Sequence, residues 1–363
     1  MLPGLLMALH RIYDFTVELL ENSNLTFQFK GPLLSGMDML VTVDPANIHY
    51  MLSSNFLNYN KGPEFKEVFD VFKDVIFNVD AELCATRSKL KNGLVPVFDH
   101  FAKEGMVLNF QDVFRRFTFD TSMVLITGSD PTSLSIDMPE NEVDKALTEA
   151  IEGILYRHVK PRFLWKLQRW MGLGIEKKML EADDIFYRVC AKYISAKREE
   201  VRLQGINHQS PSGEAGRDTI ASALTWFFWI LSENPNVTAK IRQEINKNMP
   251  KSKTGQEKSS LDPNELNKMV YLYGALYESM RLYPPAPFER TLRHEPSFKF
   301  LAFNAGPRSC LGKQLAMNLM KTVIVEILQN YDIHVIKGQK IEPLPSLILR
   351  MKHGLSVTIT KRD

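Results

Sequence analysis

A chain of 363 residues has the length of one large domain or about two ordinary ones, enough to bury a sizeable core. Its 44% hydrophobic and 24% charged residues suit a globular fold and exclude a disordered chain or a polytopic membrane protein. The net charge of +3, spread over intermixed basic and acidic residues, gives no footprint for nucleic acid, and three cysteines (Cys84, Cys190, Cys310) permit neither a disulfide framework nor a four-cysteine zinc site. A reducing compartment fits that cysteine usage.

Met1 to His10 lacks a basic n-region and is too short and broken for a signal anchor, so it reads as the start of a domain. Apolar residues at helical spacing (Leu6, Leu9, Ile12, Tyr13, Val17, Leu20) predict a helix over Leu5 to Glu21. Strands are expected at Thr26 to Phe29 and Met39 to Val43, then a helix over Ala46 to Leu52 capped by Asp44-Pro45. Phe65, Val68, Phe69, Phe72, Val75 and Ile76 give residues 63–78 an aromatic-rich helical face. Residues 86–128 and 139–204 read as a helical body without a catalytic motif. A polar loop follows at 205–213, in which His208 reads as solvent-exposed.

From that loop emerges Ala215-Gly216-Arg217-Asp218-Thr219, followed by an apolar helix over Ile220 to Ser232. On residue type alone, Asp218 or Thr219 could equally be a helix N-cap or a paired acid and hydroxyl for proton transfer. The run Trp226 to Leu231 is too short to span a bilayer and reads as core. Helices are predicted over residues 233–249 and, after a polar loop at 250–260, from the Asp262-Pro263 cap through Leu282. The second contains Glu278 and Arg281, which share a face and can pair either at the surface or in the core. A helix over Leu311 to Gln329 and strands at Ile333 to Ile336, Ser346 to Met351 and Leu355 to Ile359 complete a mainly α chain with small β-sheets (α+β).

The densest signal is Phe303-Asn304-Ala305-Gly306-Pro307-Arg308-Ser309-Cys310-Leu311-Gly312. Cys310 falls where a helix should begin, and the free N–H groups and positive dipole end there favour a thiolate. Gly306 permits a close approach that a side chain would block, and Gly312 leaves room for a flat ligand. Arg308 is a cation that can pair with the carboxylates of a planar cofactor, and Phe303 can shield the sulfur from water. Cys310 is therefore either a metal ligand or a buried structural cysteine.

F-x-x-G-x-R-x-C-x-G resembles the haem-binding loop of the cytochrome P450 family, with all five fixed positions present. The resemblance implies that Cys310 is the axial thiolate to the iron of heme b, held by a loop in which Phe303, Gly306, Arg308 and Gly312 have fixed places. It implies that A-G-x-D-T is the oxygen-activation signature, with Thr219 hydrogen-bonding bound dioxygen or its water and Asp218 relaying protons. It further implies that Glu278 and Arg281 form a buried pair supporting the haem loop, and that residues 63–78 lie over the distal side of the haem. Lys61-Gly62-Pro63-Glu64-Phe65, Pro287-Phe288-Glu289-Arg290 and Arg350-Met351-Lys352-His353-Gly354-Leu355 resemble the plant long-chain alkane and fatty-acid hydroxylases, mid-chain alkane hydroxylase branch.

The chain departs from that pattern in three places. After Cys84 the family carries a helix whose Trp and Arg hold the haem propionates, whereas here the chain runs directly into Ala85-Thr86-Arg87, leaving Arg87 as the nearest stand-in. The half-helix expected before Ala215 is missing, and no Pro-Glu-Arg-Phe-like segment lies between Tyr283-Pro284-Pro285 and the Cys310 loop; Ala286-Pro287-Phe288-Glu289-Arg290 follows too closely to fill that place. The expectation is one haem-thiolate monooxygenase domain over 1–363 with deletions near 84, 214 and 291. By resemblance it hydroxylates long aliphatic chains with O2, in plant wax metabolism, on the cytosolic face of the endoplasmic reticulum membrane. Electrons would come from an NADPH-dependent flavoprotein reductase, and the hydrophobic anchor usual in plant members is not in this sequence. The competing expectation is a truncated, non-catalytic member that binds haem poorly or not at all.

Overall fold

The computed structural model describes residues 12–29, 39–55, 58–59, 86–127, 130–140, 142–185, 188–189, 214–249, 263–286, 301–306, 309–310, 312–344 and 346–362. The helical face at 63–78, Cys84, Cys190, His208, Pro287 to Arg290 and Arg308 lie outside these residues.

Helix α1 (Ile12–Asn22) leads into the antiparallel pair β1 (Thr26–Phe29) and β2 (Met39–Thr42), whose register runs from Thr26 opposite Thr42 to Phe29 opposite Met39. The next helix, α2 (Pro45–His49), has Pro45 in its first turn and Asp44 as N-cap, whose carboxylate accepts from the Ala46 N–H at 2.8 Å. It runs on as one π-helical turn, Tyr50–Ser54. A helical stretch from residue 86 ends in α3 (Val95–Glu104), closed by left-handed Gly105, and the short β3 (Leu108–Asn109) then interrupts the helices before α4 (Phe110–Thr127). Next come α5 (Glu142–Val159), α6 (Arg162–Met171) and a helix over 174–185, divided at Pro161 and Gly172.

The core is built where α7 (Glu214–Glu233) packs along α4, with α8 (Pro235–Asn248), α9 (Pro263–Asn267), α10 (Val270–Leu282) and α11 (Lys313–Asn330) around it. Phe98, Phe110, Phe114 and Phe228 form a ring chain at 5.5, 5.1 and 5.6 Å. The core reading of the Trp226 run is confirmed: Trp226, Phe227, Phe228 and Leu231 are buried, and Trp226 stacks on Tyr283 at 4.2 Å. Among the described residues no helix is long and apolar enough to cross a membrane.

After α11 the chain forms β4 (Tyr331–Val335), β5 (Pro343–Leu344), β6 (Arg350–Met351) and β7 (Ser356–Lys361). β7 lies centrally in the sheet β3-β7-β4, antiparallel to both neighbours.

Two of the differences from the predicted elements have a cause in packing. The helix expected through Leu282 is broken at Met269 (ψ 69°) into α9 and α10, because Glu244 of α8 reaches across and accepts from Tyr271 N–H (2.7 Å) and Leu272 N–H (2.8 Å), satisfying a new helix start. Of the strand expected over Ser346 to Met351, only Arg350–Met351 forms. The Leu349 carbonyl is taken by Ser222 Oγ (2.6 Å) and Trp226 Nε1 (2.7 Å), so α7 replaces a neighbouring strand there.

Candidate active site

The loop before α11 is fixed from both sides. Leu301 and Ala305 are buried against Ile48 and Leu52, which seats the loop on the α2 segment. Gly306 has φ +61°, and a Cβ there would sit 2.2 Å from the Leu52 carbonyl oxygen, so both conformation and space demand glycine. Ser309 N–H and Oγ both donate to the Gly306 carbonyl (3.0 and 2.9 Å), and Cys310 N–H donates to the Phe303 carbonyl at 2.7 Å. Cys310 therefore stands just ahead of α11, with the Lys313 N–H donating to its carbonyl at 3.3 Å.

The Cys310 thiol is exposed, which removes the buried structural-cysteine reading. Phe303 packs beside Tyr277 of α10 at 6.4 Å, with the Lys313 ammonium 5.6 Å over its ring. Among the described residues a Cβ on Gly312 would meet only the Cys310 sulfur, at 3.8 Å, which is ordinary contact. An exposed sulfur at the start of an 18-residue helix, with a glycine clearing its flank, fits the thiolate side of a haem. Among the described residues no group of three or more His, Cys, Asp or Glu could hold a metal ion.

Asp218 and Thr219 lie in the second turn of α7, which begins at Glu214, so neither is an N-cap. Asp218 is buried and meets Arg115 Nε of α4 at 3.3 Å and Arg217 Nη1 at 3.4 Å. Burial alone would raise the Asp218 pKa, but Arg217, Arg115 and Arg350 outweigh it and hold the carboxyl below its usual range. Burial conversely pushes Arg217 down to about 10, with Asp218 opposing the shift. Thr118 Oγ1 donates to the Arg217 carbonyl at 2.9 Å, tying the motif to α4. Thr219 is half-buried.

The sequence reading missed Arg115 and Arg350. The Arg115-Arg116 doublet inside the aromatic α4 pattern was the available signal, since a cation on an apolar face needs a buried counter-charge.

Glu278 and Arg281 do pair, with Arg281 Nε to Glu278 Oε2 at 2.7 Å. The expected burial is corrected: Glu278 is 53% exposed. Spacing brings the two side chains together but does not by itself bury them: the Arg281 side chain is 19% exposed and Glu278 stays half in solvent. Through Tyr277 the same helix still touches Phe303. Arg87 is half-buried at the start of the helical stretch before α3. A cavity of about 570 Å³ lies between α7, α8, α11 and β4, lined by Phe228, Arg242, Leu328 and Asp332 among others and by none of these site residues.

The sequence pattern of the cytochrome P450 family matches residues 214–295 and 288–359. The chain is 43% identical to alkane hydroxylase MAH1 of Arabidopsis thaliana over 468 aligned residues, covering 100% of this chain and 92% of the relative. This chain belongs to the cytochrome P450 family. It is 32% identical to noroxomaritidine synthase of Narcissus aff. pseudonarcissus MK-2014 (100% of this chain, 90% of the relative) and 30% identical to cytochrome P450 86B1 of Arabidopsis thaliana (100% and 84%).

As a P450 it is a haem-dependent monooxygenase, an oxidoreductase whose family works with haem iron and a redox partner. Its mainly helical body with small antiparallel sheets is the fold class expected. The alignment to the Arabidopsis alkane hydroxylase spans 468 positions against 363 residues here, so about 105 of its positions have no counterpart in this P450. The two family matches overlap at 288–295, so the pattern resumes at a second place there.

Proposed function

We propose that this P450 hydroxylates long-chain aliphatic substrates, alkanes or fatty acids, as a single haem-thiolate domain. One atom of O2 enters a C–H bond and the other leaves as water, with electrons delivered by an NADPH-dependent flavoprotein reductase. The observation that carries this reading is the 43% identity to an alkane hydroxylase across all of this chain. Bound heme b supplies the oxygen chemistry, and thiolate ligation favours O–O cleavage.

Around it each residue has a task. Cys310, at the start of α11, would supply the thiolate that holds the haem iron, and Gly306 and Gly312 keep the backbone and the approach clear. Phe303 fixes the Cys310 amide through its carbonyl, and Arg308 would pair with a haem carboxylate. Asp218, kept ionised by Arg115 and Arg217, accepts a proton and passes it toward Thr219, whose hydroxyl holds dioxygen or its water. Glu278 and Arg281 brace α10, whose Tyr277 packs on Phe303. The working place is the cytosolic face of the endoplasmic reticulum membrane.

A second reading has its own support. The shortfall of about 105 aligned positions, 468 against 363 residues, supports it; deletions near 84, 214 and 291 would fall on the propionate clamp, the oxygen-side helix and the cover over Glu278–Arg281. On that reading the chain is non-catalytic.

Expression with haem available, reduction and addition of carbon monoxide separates the two. The red-shifted Soret band of a thiolate complex, lost in Cys310→Ala, together with hydroxylated product from a long-chain alkane or fatty acid, is the expected result. A soluble, folded preparation without the band would overturn the enzyme reading for this polypeptide.

A further inference from the structure

The sheet β3-β7-β4 ends on β4, which among the described residues has β7 on one side and no strand on the other. Hydrogen-bond register decides which backbone groups face that unpaired side. The Arg362 N–H donates to the Asn330 carbonyl at 2.8 Å and the Ile336 N–H donates to the Ser356 carbonyl at 3.0 Å, so the even-numbered residues between them exchange bonds with β7. Asp332 and His334 are therefore spent on the ladder, whereas the backbone groups of Tyr331, Ile333 and Val335 point away from it. Arg242 of α8 marks the direction, since its Nη2 donates to the outward Tyr331 carbonyl at 3.0 Å. Among the described residues nothing bonds the outward N–H and C=O of Ile333 and Val335.

This side of β4 faces the cavity of about 570 Å³ between α7, α8 and α11, which Ile333 lines. Its floor of Phe228, Leu231 and Leu328 is apolar and buried. Its α8 wall runs from Pro235 through Ala239 to Asn246, about 16 Å of helix, the span of about five extended residues. At the rim two cations share one carboxylate: Asp332 meets Arg242 at 2.7 Å and Arg362 at 2.9 Å. Arg242 commits Nε to the Leu328 carbonyl and Nη2 to Tyr331 and Asp332, so among the described residues its Nη1 is left for a ligand.

We propose that β4 takes an extended acidic peptide of a partner protein as a fourth strand, its alternate apolar side chains entering the groove against Phe228 and Leu328. Pairing with Ile333 and Val335 gives affinity, and the excess of guanidinium over carboxylate at the rim selects acidic side chains. A second copy of the chain is a poorer occupant, because β4 against β4 would set Arg242 and Arg362 against their own counterparts. The inference stands apart from haem and from the hydroxylase reading.

The test uses the full chain and three synthetic hexapeptides: alternating glutamate and valine, the same peptide N-methylated throughout, and alternating lysine and valine. Residue-resolved hydrogen exchange of the free chain should find the Ile333 and Val335 amides fast and those of Asp332 and His334 slow, and the glutamate peptide should slow the fast pair at least tenfold. Fluorescence anisotropy should give saturable binding with a Kd of about 0.1 mM or below, roughly tenfold weaker for the lysine peptide and lost on N-methylation. Ala239→Trp fills the groove from an exposed helix position and should weaken binding tenfold or more at an unchanged melting temperature. Ile333→Pro deletes an outward N–H without touching a ladder bond and should also weaken it, while Arg362→Gln should narrow the gap between the glutamate and lysine peptides. Unslowed amides at about 1 mM peptide, equal binding of the N-methylated peptide, or binding that Ala239→Trp leaves unchanged would each overturn the proposal, as would self-association that Ala239→Trp abolishes. Exchange and anisotropy require no haem, so failure of the haem reading is read separately.

Discussion

Replacing Asp218 by Asn tests whether one carboxylate holds the buried arginines of the α4–α7 interface. Asp218 is 5% exposed, Arg217 1% and Arg350 3%, so the substitution leaves cations in the core without their shared counter-charge. Removing one partner of a buried pair typically costs about 3–5 kcal/mol. The lower end applies here, because the contacts at 3.3 and 3.4 Å are long and Arg115 keeps its 2.6 Å hydrogen bond to Thr148. A loss of about 3 kcal/mol is a large part of a typical total of about 5–15 kcal/mol. Equilibrium urea denaturation at neutral pH reads it directly. The Asp218 pKa is lowered in the folded chain, so its contribution is complete above the unfolded value of about 4 and disappears as pH falls through the folded one. The gap between the two proteins should therefore close in acid, where a protonated Asp resembles Asn. A difference below about 1 kcal/mol at neutral pH, or one that does not change with pH, would refute the reasoning.

Gly306→Ala should lose about 2 kcal/mol or more, since a left-handed backbone alone costs about 1–2 kcal/mol and the new methyl would sit 2.2 Å from the Leu52 carbonyl; a thermal melt and the reactivity of Cys310 toward a thiol reagent both report it. Arg157→Met should cost about 3–5 kcal/mol by stranding Glu176, whereas Arg157→Met with Glu176→Leu should restore most of the stability, as urea midpoints will reveal. Glu278→Gln should cost less than about 1 kcal/mol because the pair is half in solvent, and a loss of several kcal/mol would mean that Glu278 is covered in solution.

The sequence announced features that depend on local chemistry. β1 falls at the residues predicted, Asp44 caps α2, and Gly306 is glycine because a carbonyl presses on it. Cys310 was legible because its loop is a fixed-spacing motif ending on a helix. What stayed hidden depends on packing between distant segments. Glu278 and Arg281 were paired correctly by spacing, yet nothing local told a solvated pair from a covered one. The break at Met269 is caused by Glu244, across a loop from another helix, and Arg350 meets the Asp218 cluster from a strand more than a hundred residues away. Within the helical body over 139–204 the sequence does not say which side of α6 faces out, because orientation is set by the buried Arg157–Glu176 pair and not by periodicity.

The strand order β3-β7-β4 also bears on synthesis. β7 follows both of its neighbours in the chain, so β3 and β4 leave the ribosome before the strand that joins them. Leu108 waits for Val357, and the Phe110 amide waits for the Leu355 carbonyl. Contacts of such separation form late. The helix behind Cys310 thus runs into a sheet that cannot close during most of translation, and a nascent chain stalled before Ser356 would present two open strand edges to the folding machinery.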